Sequence, residues 1–139
     1  MNSSNLIVWT DEYSVGISGI DNQHKKIIQL INMLSVEEGH EKQQEALHGA
    51  LHELSDYVKV HLEYEEQLLE RFEYPALVDH KKLHEGFLET ISDLMYKVVI
   101  NEEGSYKKLI DFLQEWWDHH ILMEDMKYSE FFLSKGVSS

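Results

Sequence analysis

The chain has 139 residues, with 12 Lys and Arg against 26 Asp and Glu, a formal charge of −14, nine His and no Cys. This length suits a single domain over 1–139, and 42% apolar residues suffice for a folded core. The negative charge disfavours nucleic acid and anionic membranes as partners and mildly favours a monomer. The lack of Cys excludes disulfides, thiolate metal sites and cysteine nucleophiles, so any metal must be bound by nitrogen and oxygen.

The N-terminal segment, residues 1–5, carries no positive charge and precedes only a short apolar stretch. The chain has no run of about 18 uninterrupted apolar residues, the length that a membrane-spanning helix needs. We therefore expect a soluble, cytoplasmic protein without membrane insertion.

The first predicted elements are an irregular arm and two helices. The arm covers about residues 1–20 and includes two glycines, Gly16 and Gly19. Asp21 is the predicted N-cap of the first helix, which ends near Val36 before a Glu-Glu-Gly sequence. A second helix is predicted over about residues 42–72, a stretch of strong helix formers.

Two further helices complete the predicted domain. Pro75, a residue suited to the first turn of a helix, opens the third, which continues to about Ile100. Residues 101–105 separate it from a fourth helix that ends near Leu133. Four amphipathic helices with short connections over about residues 21–133 predict an all-α, up-down-up-down antiparallel four-helix bundle.

Five of the nine histidines share the apolar faces of these helices, since a helix advances about 100° per residue. They come from all four helices and are His24, His61, His80, His84 and His120. Glu65 lies one helical turn after His61 and shares its face. Burying five imidazoles and a carboxylate without a cation would leave several costly polar groups competing for few partners. A metal site in the core of the bundle removes that cost.

The other four histidines do not share these faces. His48 and His52 also form an i,i+4 pair, but they lie on the face of the second helix opposite His61 and are predicted to be solvated. His40 falls in a predicted loop, and His119 points toward the flank of the fourth helix.

The number of ligands indicates the kind of metal site. Five imidazoles exceed the four positions of a structural zinc site, and neighbouring carboxylates can bridge two ions. Nitrogen and oxygen ligands without sulfur favour non-haem iron, while manganese and zinc remain chemically possible.

With these motifs, the chain resembles the hemerythrin family, particularly its single-domain bacterial members. The resemblance spans nearly the whole chain and rests on an ordered set of elements: Val8-Trp9-Thr10, Gly19-Ile20-Asp21-Asn22-Gln23-His24, His61-x3-Glu65, His80-x3-His84 and Trp116-x3-His120-Ile121-x3-Asp125-x-Lys127-Tyr128. It implies a di-iron site in which His80, His84 and His120 bind one iron and His24 and His61 bind the other. Glu65 and Asp125 would bridge the two irons together with an oxo or hydroxo group.

The bridging role of Asp125 conflicts with regular helical periodicity. Asp125 follows His120 by five residues, about 140° around the helix, whereas Glu124 follows by four and would share its face. The family pattern selects Asp125. We therefore expect a local widening of the helix that turns Asp125 inward.

The resemblance also implies a pocket for dioxygen. Trp116, Trp117 and Ile121 lie near His120 in the sequence, and Ile28 follows His24 by one turn. The family pattern has a Leu three residues before the last His ligand, where this chain has Trp117. The bulkier side chain either narrows the pocket or is displaced outward, which bears on oxygen affinity and autoxidation.

The function implied is reversible dioxygen binding at the iron held by His24 and His61, in an oxygen carrier, store or delivery protein rather than an enzyme. An unidentified oxygen-consuming protein would be its partner. The main alternative is a di-iron oxidase, peroxidase or nitric-oxide-handling enzyme on the same scaffold. A third hypothesis is an oxygen or redox sensor module.

Overall fold

The structure is a computed structural model and describes residues 6–36 and 44–136. The helices are α1 (Ser18–Val36), α2 (Gln44–Arg71), α3 (Leu77–Val99), α4 (Ser105–His119) and α5 (Met126–Ser134). A six-residue π-helical segment, His120–Asp125, joins α4 to α5. Because these ranges contain helices and no strand, the predicted all-α class is confirmed.

The helices form a bundle in which neighbours in sequence are neighbours in space. α1 packs against α2 and α4, and α3 packs against the same two helices. The backbone stays right-handed helical at His120 and Asp125, so α4, the π-helical segment and α5 form one continuous fourth rod. The connections over residues 72–76 and 100–104 are short, as expected for antiparallel neighbours.

Two of the helices end at residues in the left-handed conformation. Glu73, at φ 57°, stops α2, and the Tyr74 N–H bonds back to the Leu69 carbonyl at 2.9 Å. Asn101, at φ 60°, stops α3 in the same way. These turns satisfy carbonyls that a helix end otherwise leaves without a donor.

Two predicted helix starts were wrong by a few residues. α1 begins at Ser18, so Asp21 is not its N-cap and the arm ends before residue 20. The Asp21 carboxylate instead accepts hydrogen bonds from the Ser14 hydroxyl at 2.5 Å and the Val15 N–H at 2.8 Å. Pro75 precedes α3, which begins at Leu77. His40 and the predicted start of the second helix at residue 42 lie outside the described residues.

The N-terminal arm is fastened to the bundle by side chains. The amide of Asn32 bonds both the N–H and the carbonyl of Ile7, at 3.0 and 2.8 Å. The Tyr13 hydroxyl donates to the Asp118 carboxylate at 2.6 Å and so reaches the fourth rod. The arm therefore covers the groove beside α1 and α4.

The core has two apolar parts with a polar layer between them. Along α1, Ile20 belongs to one part, Ile27 belongs to the other, and His24 lies between them. Along α2, Val58 and Leu69 flank His61 in the same way. In the ranges that the structure describes, no helix combines the length and the apolar character needed to cross a bilayer.

Candidate metal centre

The polar layer contains all seven residues that were predicted as metal ligands. They come from every rod of the bundle, and each is at most 3% exposed: His24, His61, Glu65, His80, His84, His120 and Asp125. Side chains of these types are rarely buried together unless they are paired or bind a cation. The structure thus brings together the predicted set.

Six of the seven residues divide into two groups that share the carboxylate of Glu65. One group consists of Glu65, His80, His84 and His120, and the other of His24, His61 and Glu65. Within each group, the candidate ligand atoms lie within 4.8 Å of one another. A nitrogen and oxygen set of this spacing can hold a metal ion in each half.

Glu65 directs one oxygen toward each group. Its Oε1 lies 2.9 Å from Nε2 of His80 and 3.1 Å from Nε2 of His84. Its Oε2 lies 3.4 Å from Nε2 of His61 and 3.8 Å from Nε2 of His24. The carboxylate therefore lies between the two halves, as a bridging ligand must.

Asp125 also directs one carboxylate oxygen toward each half of the centre. Its Oδ2 lies 3.2 Å from Nε2 of His24, whereas its Oδ1 lies 3.2 Å from Nε2 of His80 and 3.1 Å from that of His120. Two carboxylates thus span the same gap between two sets of imidazoles.

The π-helical segment explains why Asp125 and not Glu124 faces the centre. A π turn inserts one extra residue, so the fifth residue after His120 returns to its face. Asp125 is fully buried, while Glu124 lies at the margin and accepts a hydrogen bond from Lys127 at 3.0 Å. The local widening expected from the sequence is present.

Several ligand atoms have no hydrogen-bond partner among the described residues. They are Nε2 of His24, Nε2 of His61 and both carboxylate oxygens of Asp125. The imidazole nitrogens and carboxylate oxygens lie 3.1 to 3.4 Å from each other, but they are not aligned for hydrogen bonds. Buried polar atoms that converge without pairing are costly, and a cation between them removes that cost. The residues therefore fit a pair of metal ions.

In the metal-free protein, the carboxylates and imidazoles stabilise each other's charges. Burial opposes the charged form of His24, but Asp125 and Glu65 outweigh it and raise its pKa to about 9. The same balance raises the pKa of His80 to about 10. Burial alone would raise the pKa of Glu65 and of Asp125, yet the surrounding imidazoles lower both. Protons therefore compete with metal ions for this centre.

Three residues that were not predicted as part of the site hold the ligands in place. The outward Nδ1 atoms of His61 and His84 lie 2.6 Å from Gln23 Oε1 and 2.7 Å from Glu66 Oε2. The Tyr128 hydroxyl donates to Glu65 Oε2 at 2.7 Å. A sequence signal existed for two of these residues, since Gln23 and Glu66 are each adjacent to a predicted ligand.

The four residues predicted to form the oxygen pocket all lie in or against the larger apolar core. Trp117 is fully buried and lies against the imidazoles of His24 and His61, so it is not displaced outward. Trp116 stacks on His120, with ring centroids 4.2 Å apart. Ile121 is buried in the larger apolar core, and Ile28 lines the groove beneath the N-terminal arm. The pocket role of these residues stays a prediction.

The histidines predicted to lie outside the site do so where they are described. His52 is 78% exposed and pairs with Asp56 at 3.2 Å. His119 is exposed, and His48 is only partly buried. Phase against the apolar stripe therefore separated the site from an equally spaced His pair.

Comparison with known proteins agrees with this geometry. The family model described as the hemerythrin HHE cation binding domain matches residues 15–132. A bacteriohemerythrin of Stenotrophomonas maltophilia is 33% identical over 125 residues, which is 90% of this chain and 80% of that protein. A bacteriohemerythrin of Pseudomonas aeruginosa is 36% identical over 126 residues, 88% of this chain and 78% of the relative.

The similarity extends beyond bacteria. A hemerythrin-like protein of Naegleria gruberi is 32% identical over 120 residues, 86% of this chain and 88% of the relative. The matched segment contains every helix from α1 to the larger part of α5, and with them all seven residues of the polar layer. The chain therefore belongs to the hemerythrin family.

Proposed function

We propose that this protein binds dioxygen reversibly at a non-haem di-iron centre, as an oxygen carrier, store or delivery protein. One iron would be bound by His80, His84 and His120 and the other by His24 and His61. Glu65 and Asp125 would bridge them, together with an oxo or hydroxo group. Family membership and the geometry of the polar layer support this proposal.

The observation that carries the proposal is the division of both carboxylates between the two halves. Each half receives one oxygen from Glu65 and one from Asp125, so the three-His half has five protein ligands and the two-His half has four. With a further shared oxygen these numbers would become six and five, so an ion that prefers six ligands would have room for one more on the side of His24 and His61.

The protein's own contribution is to orient the ligands and to exclude water. Nδ1–H of His61 donates to Gln23 Oε1 and Nδ1–H of His84 donates to Glu66 Oε2, so each Nε2 is directed inward. Apolar core lies on both sides of the layer and limits access of water and protons. Two ferrous ions bound by these residues would supply the electrons for reversible reduction of bound dioxygen.

The ratio of imidazoles to carboxylates favours binding over oxidation chemistry. Ferritin-like di-iron oxidases use Glu residues from two helices and Glu-x-x-His from two others. This centre has five imidazoles and two carboxylates, and its ligands include no such motif. We therefore propose a carrier that is not an enzyme, acts as a cytoplasmic monomer and passes oxygen to a consuming protein.

Absorption spectroscopy tests the proposal. The reduced, iron-loaded protein should develop a charge-transfer band on exposure to oxygen and lose it on deoxygenation. His61→Ala should abolish the band, while His52→Ala, on the exposed face of the same helix, should leave it unchanged. Irreversible conversion to the diferric form on the first exposure would favour the oxidase alternative, and an unchanged spectrum in His61→Ala would contradict the ligand assignment.

A further inference from the structure

Trp117 lies beside the half of the centre that has fewer ligands. Its ring is fully buried, with ring centroids 6.2 Å from His24 and 5.8 Å from His61. It precedes His120 by three residues, almost one helical turn, and the rings of these two residues are 6.3 Å apart. Trp117 therefore contacts both imidazoles of one half and one imidazole of the other.

The indole N–H of Trp117 is a buried donor with no acceptor among the residues that the structure describes. Its other aromatic contacts are Phe87 at 5.5 Å and Trp116 at 5.0 Å. A buried tryptophan N–H usually finds a partner, and leaving it without one costs about 1–3 kcal/mol. The remaining rings around Trp117 are the imidazoles of His24, His61 and His120, which belong to the metal centre.

We propose that Trp117 is a specificity-determining residue of this centre, whose indole N–H donates a hydrogen bond to a small anion bound on the side of His24 and His61. This inference rests on the proposed function, because the ligand arithmetic leaves an open position on that side. An anion there is the acceptor that the donor lacks, and a hydrogen bond to a charged acceptor is among the stronger ones. The residue acts on the ligand and is not itself a metal ligand.

The chemistry of the Trp117 side chain gives this role its consequence. An aliphatic side chain here would offer only apolar surface, whereas Trp117 offers an N–H at the end of a rigid ring. A donor stabilises charged ligands relative to neutral ones, and the ring volume limits the space beside the centre. The centre should therefore favour small anions of two or three atoms.

Azide, a linear three-atom anion, is a suitable probe for the oxidised, iron-loaded full-length protein. Trp117→Phe removes the N–H while keeping an aromatic ring, and it should weaken azide binding about tenfold, which corresponds to about 1.4 kcal/mol. A change in volume alone would leave the affinity unchanged or increase it, because the smaller ring gives the ligand more room. Trp9→Phe, in the N-terminal arm, is the matched control and should retain the wild-type dissociation constant.

Infrared spectroscopy of the bound azide provides a second readout that does not depend on affinity. In wild-type protein the azide stretch should shift between H2O and D2O, because the exchangeable indole proton is bonded to the anion. The shift should be lost in Trp117→Phe and retained in Trp9→Phe. The wild-type measurement needs no substitution, so the absence of a shift would overturn the proposal even where the Phe variant folds poorly.

The outcomes separate this inference from the proposed function. If Trp117→Phe loads two irons and binds azide with the wild-type dissociation constant and isotope shift, the hydrogen-bond role is wrong while the di-iron proposal stands. If the wild-type protein binds iron but no azide, the accessible anion position is wrong. If the wild-type protein takes up no iron, the proposed function and this inference are both contradicted.

Discussion

The Nε2 atom of His120 lies 3.1 Å from Oδ1 of Asp125, although the two residues are five positions apart in one continuous helical rod. A regular α-helix would separate them by about 140°. The π-helical segment His120–Asp125 closes that angle and brings a carboxylate from the fourth rod between the two halves of the centre. A rare local geometry thus places a second carboxylate between the two sets of imidazoles.

This relationship predicts different roles for two adjacent acidic residues. Asp125→Asn keeps the size of the side chain but removes the negative charge between the halves, so iron affinity should fall by at least about tenfold. Glu124→Gln changes a residue that contacts Lys127 at the margin, and iron affinity should stay at the wild-type value. Competition with a chelator measures both. A loss in Glu124→Gln without one in Asp125→Asn would reverse the assignment.

The acidic partner of His84 should support metal binding without contacting the metal. Glu66 holds Nδ1 of His84 at 2.7 Å, and removing such a partner from a metal-bound imidazole typically weakens binding about 10–100-fold. Glu66→Ala should therefore lower iron affinity by this amount, with unchanged helix content by circular dichroism. Glu63→Ala, an exposed position on the same helix, is the control. Equal affinities of the two variants would show that the contact does not position the ligand.

The metal-free protein should become less stable as the pH rises. The pKa values of His24 and His80 are raised to about 9 and about 10, against about 6.5 in the unfolded chain. A raised folded-state pKa contributes stability that is fully present below pH 6.5 and is lost as the pH rises through 9 to 10. The melting temperature of the metal-free protein should fall between pH 7 and 10.

The iron-loaded protein provides the control for this pH dependence. Metal ions replace the protons between the carboxylates and imidazoles, so its melting temperature should decline much less over the same range. A metal-free melting temperature that is constant or rises from pH 7 to 10 would contradict the mutual charge stabilisation of the polar layer.

Two glycines outside the centre should respond oppositely to substitution by Ala. Gly86 lies on the exposed face of α3, where a methyl group would extend into open space, so Gly86→Ala should stabilise the fold by about 0.5–1 kcal/mol. Gly104, at φ 75°, precedes α4 in the left-handed conformation, and Gly104→Ala should destabilise the fold by about 1 kcal/mol. Thermal melts of both variants measure the difference. The same sign of change in both would contradict the backbone interpretation.

The fold, and the burial of six of the seven residues of the polar layer, could be predicted because the apolar and polar patterns of the sequence coincide. The apolar stripe defines the inward face of each helix, and the phase of His24, His61 and Glu65 on that stripe places them in the core. Periodicity cannot predict a π turn, because the extra residue leaves no compositional mark in the sequence around Asp125. Family resemblance, not helical phase, selected Asp125 over Glu124.

Contacts that depend on the path of the arm or on the packing of the bundle were beyond prediction. Asp is a residue type that often caps the N-terminus of a helix, which is why Asp21 was predicted as the N-cap. Its carboxylate instead accepts hydrogen bonds from Ser14 and Val15 in the arm, and the helix begins three residues earlier. Likewise, Tyr128 reaches Glu65 across 63 positions. Such partners depend on the packing of the bundle and on no local pattern.

Oxygen uptake by the reduced, iron-loaded protein tests the central claim most directly. One dioxygen should be taken up for every two irons and recovered in full when the oxygen pressure is lowered, with the reduced spectrum restored over repeated cycles. Reversible binding at a di-iron centre would be contradicted if protein with two bound irons took up no dioxygen, or if it consumed dioxygen without releasing it.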